Sequence, residues 1–232
     1  MTRRILASRV ILIATPDDEI AVVAQELARI GEEELRGRVV LHTSGAMDSA
    51  VLDAVHERSA MGGSMPPLQS SSGASVPSLE GKVFTMEGET HAVRVARQIA
   101  RALGGSPVRI AGSKKILYHA AAAMAAGHVL ALEEAAMQLL LSLGMRRSEA
   151  VRALLPLTRQ VLENFETLGP RVAWTGPITK WRGRIWKHCP EEFAQAYGAL
   201  SHLAARVLAK DPARVLAELE KISVERNQKQ RR

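Results

Sequence analysis

The sequence predicts an α/β domain built on a parallel sheet, followed by an all-α domain. Short apolar runs alternate with helical patterns as far as residue 112, and only helical patterns follow. With 232 residues, of which 47% are hydrophobic, the chain is long and apolar enough to bury a full core. We therefore expect two domains, at residues 1–112 and 113–232.

The first predicted strand and helix follow each other directly. Residues 9–14 (RVILIA) are almost continuously apolar, which is typical of a strand buried on both faces. Thr15 then supplies a capping hydroxyl, Pro16 suits the first helical position, and Asp17 places an acid in the first turn. Apolar residues at helical spacing continue until Gly31 ends the predicted helix.

Strands and helices continue to alternate up to residue 111. The predicted strands are residues 38–42, 61–64, 82–86 and 107–111, and the predicted helices are residues 48–57 and 90–103. A stretch rich in Ser, Gly and Pro, which runs through residue 79, is typical of a loop. This alternation indicates parallel strands joined by right-handed crossovers.

One long helix opens the second domain. Residues 114–143 form an alanine-rich helical pattern, about 45 Å long at 1.5 Å per residue. The pattern is apolar around most of its circumference, so we expect this helix inside a helical domain or in a dimer interface. His128, Glu133 and Glu134 interrupt it, which favours a buried helix over a membrane span. Three more helices are predicted at residues 148–168, 190–209 and 211–227.

Composition and charge narrow the classes of function. The 31 basic and 24 acidic residues give a formal net charge of +7, which favours anionic partners. The basic C-terminal tail, residues 221–232, is either a solvated segment or a nucleic-acid contact. Since no recognition motif is present and only 3% of residues are aromatic, the sequence disfavours nucleic acid as a partner. Cys189 is the single cysteine, so a disulfide framework and a cysteine zinc cluster are excluded, and no metal site is expected.

The sequence carries no targeting segment and no familiar nucleotide motif. Arg9 interrupts the first apolar stretch and acids follow it, so we expect a cytoplasmic protein without a secretory signal or membrane span. No two of the 17 glycines are two positions apart, which excludes the dinucleotide fingerprint G-x-G-x-x-G. The P-loop, H-E-x-x-H and G-x-S-x-G patterns are also absent.

The order of several segments nevertheless resembles a known family. The segments are ATPDDEI (residues 14–20), VVLHTSGA (39–46), GSMPPLQS (63–70), KILYHAAAAMAAG (115–127), LLPLTRQVLEN (154–164) and GPRVAWTGPI (169–178). They resemble the Rossmann-like oxidoreductases with a C-terminal helical domain of unknown function, distant relatives of pyrroline-5-carboxylate reductase and 6-phosphogluconate dehydrogenase. The resemblance implies a partial Rossmann-like sheet, an NADP or NAD cofactor, and a homodimer formed through the helical domain. It further implies hydride transfer to a carbonyl or imine of a small acid.

The resemblance also implies where the cofactor lies. Two polar loops follow predicted strands, at the sheet edge where open α/β sheets bind their ligands. The resemblance implies that these loops line the nicotinamide side of the cofactor; their residues are Thr15, Pro16, Asp17, His42, Thr43 and Ser44. The alternative is that these residues only cap the helices that follow.

The candidate catalytic residues lie at the start of the long helix. Lys115, Tyr118 and His119 share one helix face because they are spaced i, i+3 and i+4. Lys115 can donate a proton as hydride arrives, and His119 can orient substrate or act as the acid. If they form a ligand site, both side chains should be at least partly accessible to solvent. Tyr118, Thr175 and His188 are the candidate substrate contacts. The alternative is an ordinary structural lysine and polar residues that cap a loop.

Several departures from the family pattern favour a second interpretation. The family begins with a glycine-rich strand, loop and helix before the segment that matches residues 9–14, and we expect that part to be missing here. Pro66 stands where the family has a histidine, and Gly127 stands where it has an asparagine. Residues 180–183 lack the family's acid. The alternative function is therefore a truncated, non-catalytic family member that acts as a dimeric binding module.

Overall fold

The computed structural model describes residues 3–70, 73, 76–174 and 190–230. The chain forms two compact units, Met1–Val129 and Leu130–Arg232. A five-stranded sheet with flanking helices comes first and a helical C-terminal part follows, which confirms the predicted fold class.

The sheet lies in the first unit, and its spatial order β1-β2-β3-β4-β5 is the order along the chain. The strands are β1 (Val10–Ile13), β2 (Val39–His42), β3 (Met61–Ser64), β4 (Val83–Gly88) and β5 (Ser106–Arg109). The pairs β1–β2, β2–β3 and β4–β5 are parallel, as the sequence predicts.

The pair β3–β4 is antiparallel, which corrects the expectation of a wholly parallel sheet. A parallel connection needs a crossover, usually a helix. The described residues of the loop between β3 and β4 form no helix. The chain therefore turns back beside β3, and Ser64 faces Glu87 across the two strands.

Nine α-helices and one π-helical turn are present in the described part of the chain. They are α1 (Asp17–Ile30), α2 (Asp53–His56), α3 (Thr90–Ala102), α4 (Lys115–Ala123), the π-helical turn Met124–His128, α5 (Val129–Ser142), α6 (Arg147–Leu168), α7 (Pro170–Ala173), α8 (Glu191–Leu208) and α9 (Pro212–Gln230). The predicted helix at residues 48–57 is a 3-10 turn, Ser49–Leu52, that continues into α2.

Two apolar cores cover the two faces of the sheet because successive strand side chains point to opposite faces. Val40 of β2 belongs to the core that contains Ile20 of α1. The next residue, Leu41, belongs to the core that contains Phe84 of β4 and the apolar face of α3. The sheet is thus held between helices, and its strand ends are fixed.

The long predicted helix is present, but the described chain does not bury it. The π-helical turn joins α4 to α5, and only Lys115 and Met137 are buried along these segments. The expectation that it lies inside a helical domain is therefore wrong for the described chain.

By length and composition Gly112–Ser142 could also cross a membrane, with a mean hydropathy of 1.3 over its most apolar window. A second copy of the protein that packs on this helix would also explain its exposed apolar residues. The dimer interface therefore stays a prediction.

The second unit contains the remaining helices. Arg147 at the start of α6 forms an exposed ion pair with Glu134 of α5 at 2.7 Å. Between α8 and α9, Ala205 and Leu219 are fully buried. α8 and α9 therefore pack against each other.

Candidate functional site

The carboxyl ends of β1, β2 and β3 lie side by side. His42, the last residue of β2, is in register with Ile13 of β1 and Ser64 of β3. The loops that follow these strands therefore leave the sheet at one edge. In open α/β sheets this edge is where ligands bind.

Lys115, the first residue of α4, extends into this edge. Its side chain is buried, with 1% of the residue exposed. The Lys115 Nζ donates hydrogen bonds to the Ser44 backbone oxygen at 2.6 Å and to the Ser64 Oγ at 2.9 Å. Because an ammonium group has three N–H donors, one of them has no hydrogen-bond partner among the described residues.

The burial of Lys115 corrects the expectation that this side chain is partly open to solvent. A buried ammonium is costly unless hydrogen bonds and opposite charge compensate it. Ser44 and Ser64 supply the hydrogen bonds, and Glu87 supplies a nearby negative charge. Lys115 therefore does not need to reach water or to form a direct ion pair.

Glu87, near the end of β4, is the acid of this cluster. It is 6% exposed and accepts hydrogen bonds from the Ser49 backbone N–H at 2.9 Å and from the Ser49 hydroxyl. Its Oε2 lies 3.3 Å from the Ser64 Oγ, which donates to it. Ser64 therefore links the ammonium of Lys115 to the carboxylate of Glu87.

The surroundings of Lys115 shift its titration. Burial lowers the pKa of Lys115 from 10.5 to about 8, while the carboxylates of Glu87, Asp48 and Asp17 oppose this decrease. At pH 7 the side chain is still mostly protonated. An acid whose pKa lies near the working pH is suited to proton transfer.

Ser44 organises the loop after β2. Its hydroxyl donates to the Asp17 Oδ2 at 2.8 Å and accepts from the backbone N–H groups of Ala46 and Met47. The 3-10 turn that follows, Ser49–Leu52, is capped by Asp48, so the Ser44 hydroxyl holds the loop together and does not cap a helix. The Ser44 backbone oxygen faces Lys115, so the same residue shapes the candidate site.

His42 is buried beside this loop. Its Nδ1 accepts a hydrogen bond from the Ser44 backbone N–H at 3.2 Å. Burial, followed by the positive charge of Lys115, lowers the pKa of His42 to about 4. The imidazole is therefore neutral at pH 7 and carries its proton on Nε2. The Asp48 backbone oxygen acts on the ring and opposes the decrease in its pKa, but it forms no well-aligned hydrogen bond with Nε2.

Thr15 does not cap α1 as predicted. The backbone is still extended at Pro16, which occupies the position before the first helical residue, Asp17. This places Thr15 one residue too far from the free N–H groups of the helix. Its hydroxyl is buried and finds no partner in the described part of the chain. Thr43 donates its backbone N–H to the Ile13 oxygen, which continues the strand pairing.

Tyr118 and His119 lie one turn further along α4. The His119 Nδ1 would be 3.6 Å from a Cβ atom built on Gly45, so it lies beside the loop after β2. The Tyr118 hydroxyl is buried without a partner among the described residues. Both side chains line a cavity of about 650 Å³, whose other walls are Leu68, Gln69, Ser70 and a row of alanines of the long helix.

Most of the predicted site residues thus meet at one edge of the sheet. Thr175 and His188 lie outside the described residues. Sequence reasoning missed Ser64 and Glu87, which complete the surroundings of Lys115. The signal available for both was a polar residue close to the end of a predicted strand.

Comparisons with known proteins identify the family. Residues 82–204, more than half of the chain, match the model of the domain of unknown function DUF2520. Residues 3–67 match a Rossmann-like domain. No curated protein matches the sequence.

Solved structures share the fold at low sequence identity. Protein TM1727 from Thermotoga maritima is 22% identical, with a TM-score of 0.62, and the match covers 95% of this chain and 79% of that one. A reductive aminase from Aspergillus terreus in complex with NADPH and ethyl-5-oxohexanoate is 16% identical, with a TM-score of 0.59 and coverages of 97% and 75%. An imine reductase from Streptomyces aurantiacus is 13% identical, with a TM-score of 0.53 and coverages of 97% and 77%.

At these identities the neighbours establish the fold and leave the reaction open. The two family models cover the α/β part and most of the helical part in the expected order. They confirm the resemblance found in the sequence, and the chain belongs to the DUF2520 family, with a Rossmann-like domain at its amino-terminal end.

Proposed function

We propose that this protein is an NAD(P)-dependent oxidoreductase that reduces a carbonyl or imine of a small organic acid. One observation carries the proposal: a buried ammonium, that of Lys115, lies at the sheet edge where such folds bind ligands, and one of its donors has no partner in the part of the chain that the structure describes. Structural neighbours that include a reductive aminase with NADPH and an imine reductase support this class of reaction.

The residues at the strand ends fit the nicotinamide side of such a cofactor. The Thr15 hydroxyl is a buried polar group without a partner in the described chain, and a bound carboxamide would supply one. When bound, the cofactor supplies the hydride. The diphosphate side fits less well because the sequence lacks the glycine-rich turn that usually holds it.

Lys115 supplies the proton in this proposal. Reduction of a C=O or C=N bond adds hydride to carbon and leaves the oxygen or nitrogen in need of a proton. The Lys115 Nζ holds that proton and is oriented by Ser44 and Ser64. After the transfer the amine is neutral, and it regains a proton from solvent when product leaves.

The cavity lined by Tyr118 and His119 is the proposed substrate site. Its alanine walls suit an apolar substituent, and the exposed His119 imidazole offers a polar contact. The proposal includes a soluble, cytoplasmic homodimer. The neighbours cover 95–97% of this chain, which includes the long helix, and this supports its being part of a soluble fold.

The experiment measures oxidation of millimolar NADPH by the full chain with a panel of small keto acids, alone and with amines. We expect turnover of at least one substrate, and a loss of about 100-fold or more in kcat for Lys115→Ala, since general acids contribute factors of this order. Lys114→Ala, which changes the exposed neighbour, is the matched control. Equal rates for the two variants would overturn the role of Lys115.

The second candidate is a non-catalytic dimeric binding module. The observation that favours it is the absence of any G-x-G spacing among the 17 glycines. An absence of turnover across the panel, together with retained binding of a small keto acid, would select this candidate.

A further inference from the structure

We propose that Glu87, acting through the hydroxyl of Ser64, is a positioning residue that orients the Lys115 ammonium and holds it in its charged form. This inference deepens the proposed function and rests on it for its catalytic meaning. The effect of Glu87 on the charge of Lys115, however, is a property of this chain alone and can be measured without turnover.

The hydrogen-bond directions are fixed along this path. The Lys115 ammonium has only donors, so the Ser64 Oγ must accept from it at 2.9 Å. The single hydroxyl hydrogen of Ser64 is then free to be donated to the Glu87 Oε2, 3.3 Å away. A proton donor, a hydroxyl and a carboxylate therefore follow one another in one direction.

Glu87 is itself held rigidly. Both of its oxygens accept from the Ser49 backbone N–H, at 3.1 and 2.9 Å, and the Ser49 hydroxyl adds a further bond. The register of β3 and β4 places Glu87 directly opposite Ser64. The carboxylate therefore cannot turn away from the ammonium without breaking several buried hydrogen bonds.

The charged groups around Lys115 come from four elements. Glu87 lies on β4 and is the largest source of negative charge at the ammonium, followed by Asp48 before the 3-10 turn and Asp17 on α1. His42 on β2 is neutral near pH 7. Asp17 is engaged by the Ser44 hydroxyl, and Asp48 accepts from the Ala50 N–H. Of these three acids, only Glu87 is connected to the Lys115 ammonium by a single hydroxyl group, that of Ser64.

A merely structural role for Glu87 is the competing explanation. In that case Glu87 would anchor Ser49, and its charge would not matter to Lys115. Glu87→Gln separates the two explanations, because the amide oxygen still accepts from the Ser49 N–H while the negative charge is lost. Glu89→Gln is the matched control: Glu89 is close in sequence and accepts from the Gly62 N–H, but it does not act on Lys115.

The experiment follows the Lys115 ¹⁵Nζ resonance by NMR as a function of pH in the full ligand-free chain, with Lys115→Arg used to assign the signal. We expect Glu87→Gln to increase the acid dissociation constant of Lys115 about tenfold or more, as for the loss of a nearby opposite charge. Ser64→Ala should produce a smaller increase, and Glu89→Gln should leave the constant within twofold. An unchanged constant in folded Glu87→Gln overturns the proposal.

A second experiment measures how kcat depends on pH. If Lys115 is the proton donor, kcat decreases as pH rises through its titration, and Glu87→Gln should move this decrease to lower pH with little change in KM. Glu87→Asp should partly restore the position of the decrease. A chain without activity that still shows the NMR effect would contradict the proposed function and leave this inference intact. Activity whose alkaline decrease does not move in Glu87→Gln would contradict the inference alone.

Discussion

The Lys115 Nζ lies 2.6 Å from the backbone oxygen of Ser44, a residue 71 positions earlier in the chain. This hydrogen bond ties the first residue of α4 to the loop after β2. Because the same ammonium also binds Ser64, one side chain connects two strand ends with the start of the long helix. The local stability of the sheet edge and its proposed chemistry therefore depend on the same group.

Removal of the ammonium should weaken the folded state. Lys115→Ala leaves the Ser44 oxygen and the Ser64–Glu87 pair without their buried donor, so we expect a loss of about 1–3 kcal/mol in the free energy of unfolding. Urea denaturation followed by circular dichroism measures this change. Lys114→Ala should stay within about 0.5 kcal/mol, as is usual at exposed sites. If Lys115→Ala left the free energy of unfolding unchanged, these contacts would contribute nothing to folding.

The titration of His42 should make the fold sensitive to acid. Burial lowers the pKa of His42 from 6.5 to about 4, so the unfolded chain binds a proton at a higher pH than the folded chain does. The resulting stability is present above pH 6.5 and is lost as the pH falls toward 4, up to about 3 kcal/mol.

Urea midpoints between pH 4 and 7 test this expectation. His42→Asn, whose amide oxygen can still accept from the Ser44 N–H, should show a shallower decrease in stability over this range than the unaltered chain. Parallel decreases in the two proteins would show that other groups cause the acid sensitivity.

NADPH should bind weakly to these 232 residues. A dinucleotide diphosphate normally rests on backbone N–H groups at a helix start reached through a glycine turn, and no G-x-G spacing occurs here. Isothermal titration calorimetry should therefore give a Kd well above the low-micromolar range. Low-micromolar binding would mean that another segment replaces the glycine turn.

The long helix should mediate a homodimer. Leu130 of α5 is 71% exposed, and other large apolar residues along both halves of this helix are exposed as well. Exposed apolar surface of this kind marks an interface. Light scattering at micromolar concentration should report a dimer, and Leu130→Glu should shift it toward monomer. Val22→Glu on α1, where Val22 is 56% exposed, is the control that should remain dimeric. A stable monomer of the unaltered chain would exclude this interface.

The sequence predicted the elements well because apolar periodicity decides them. The strand at residues 38–42 and the helix at residues 90–103 lie within one residue of β2 and α3. The site was predicted only in part, for a physical reason. Lys115 and Ser44 follow local signals at a helix start and a strand end, whereas the role of Glu87 depends on the antiparallel pairing of β4 with β3. Nothing near Glu87 in the sequence indicates that strand direction.

The same antiparallel pair also determines how freely the neighbouring loop can vary. Ser64 and Glu87 are Cα partners across β3 and β4, and Pro67 pairs with Phe84 just beyond them. These pairs close the base of the loop before its Ser- and Gly-rich part begins. Each doubling of the length of a loop adds only about 0.6 kcal/mol to the cost of closing it. Changes in the number of residues between Pro67 and Phe84 should therefore accumulate among relatives without displacing Glu87 from Ser64.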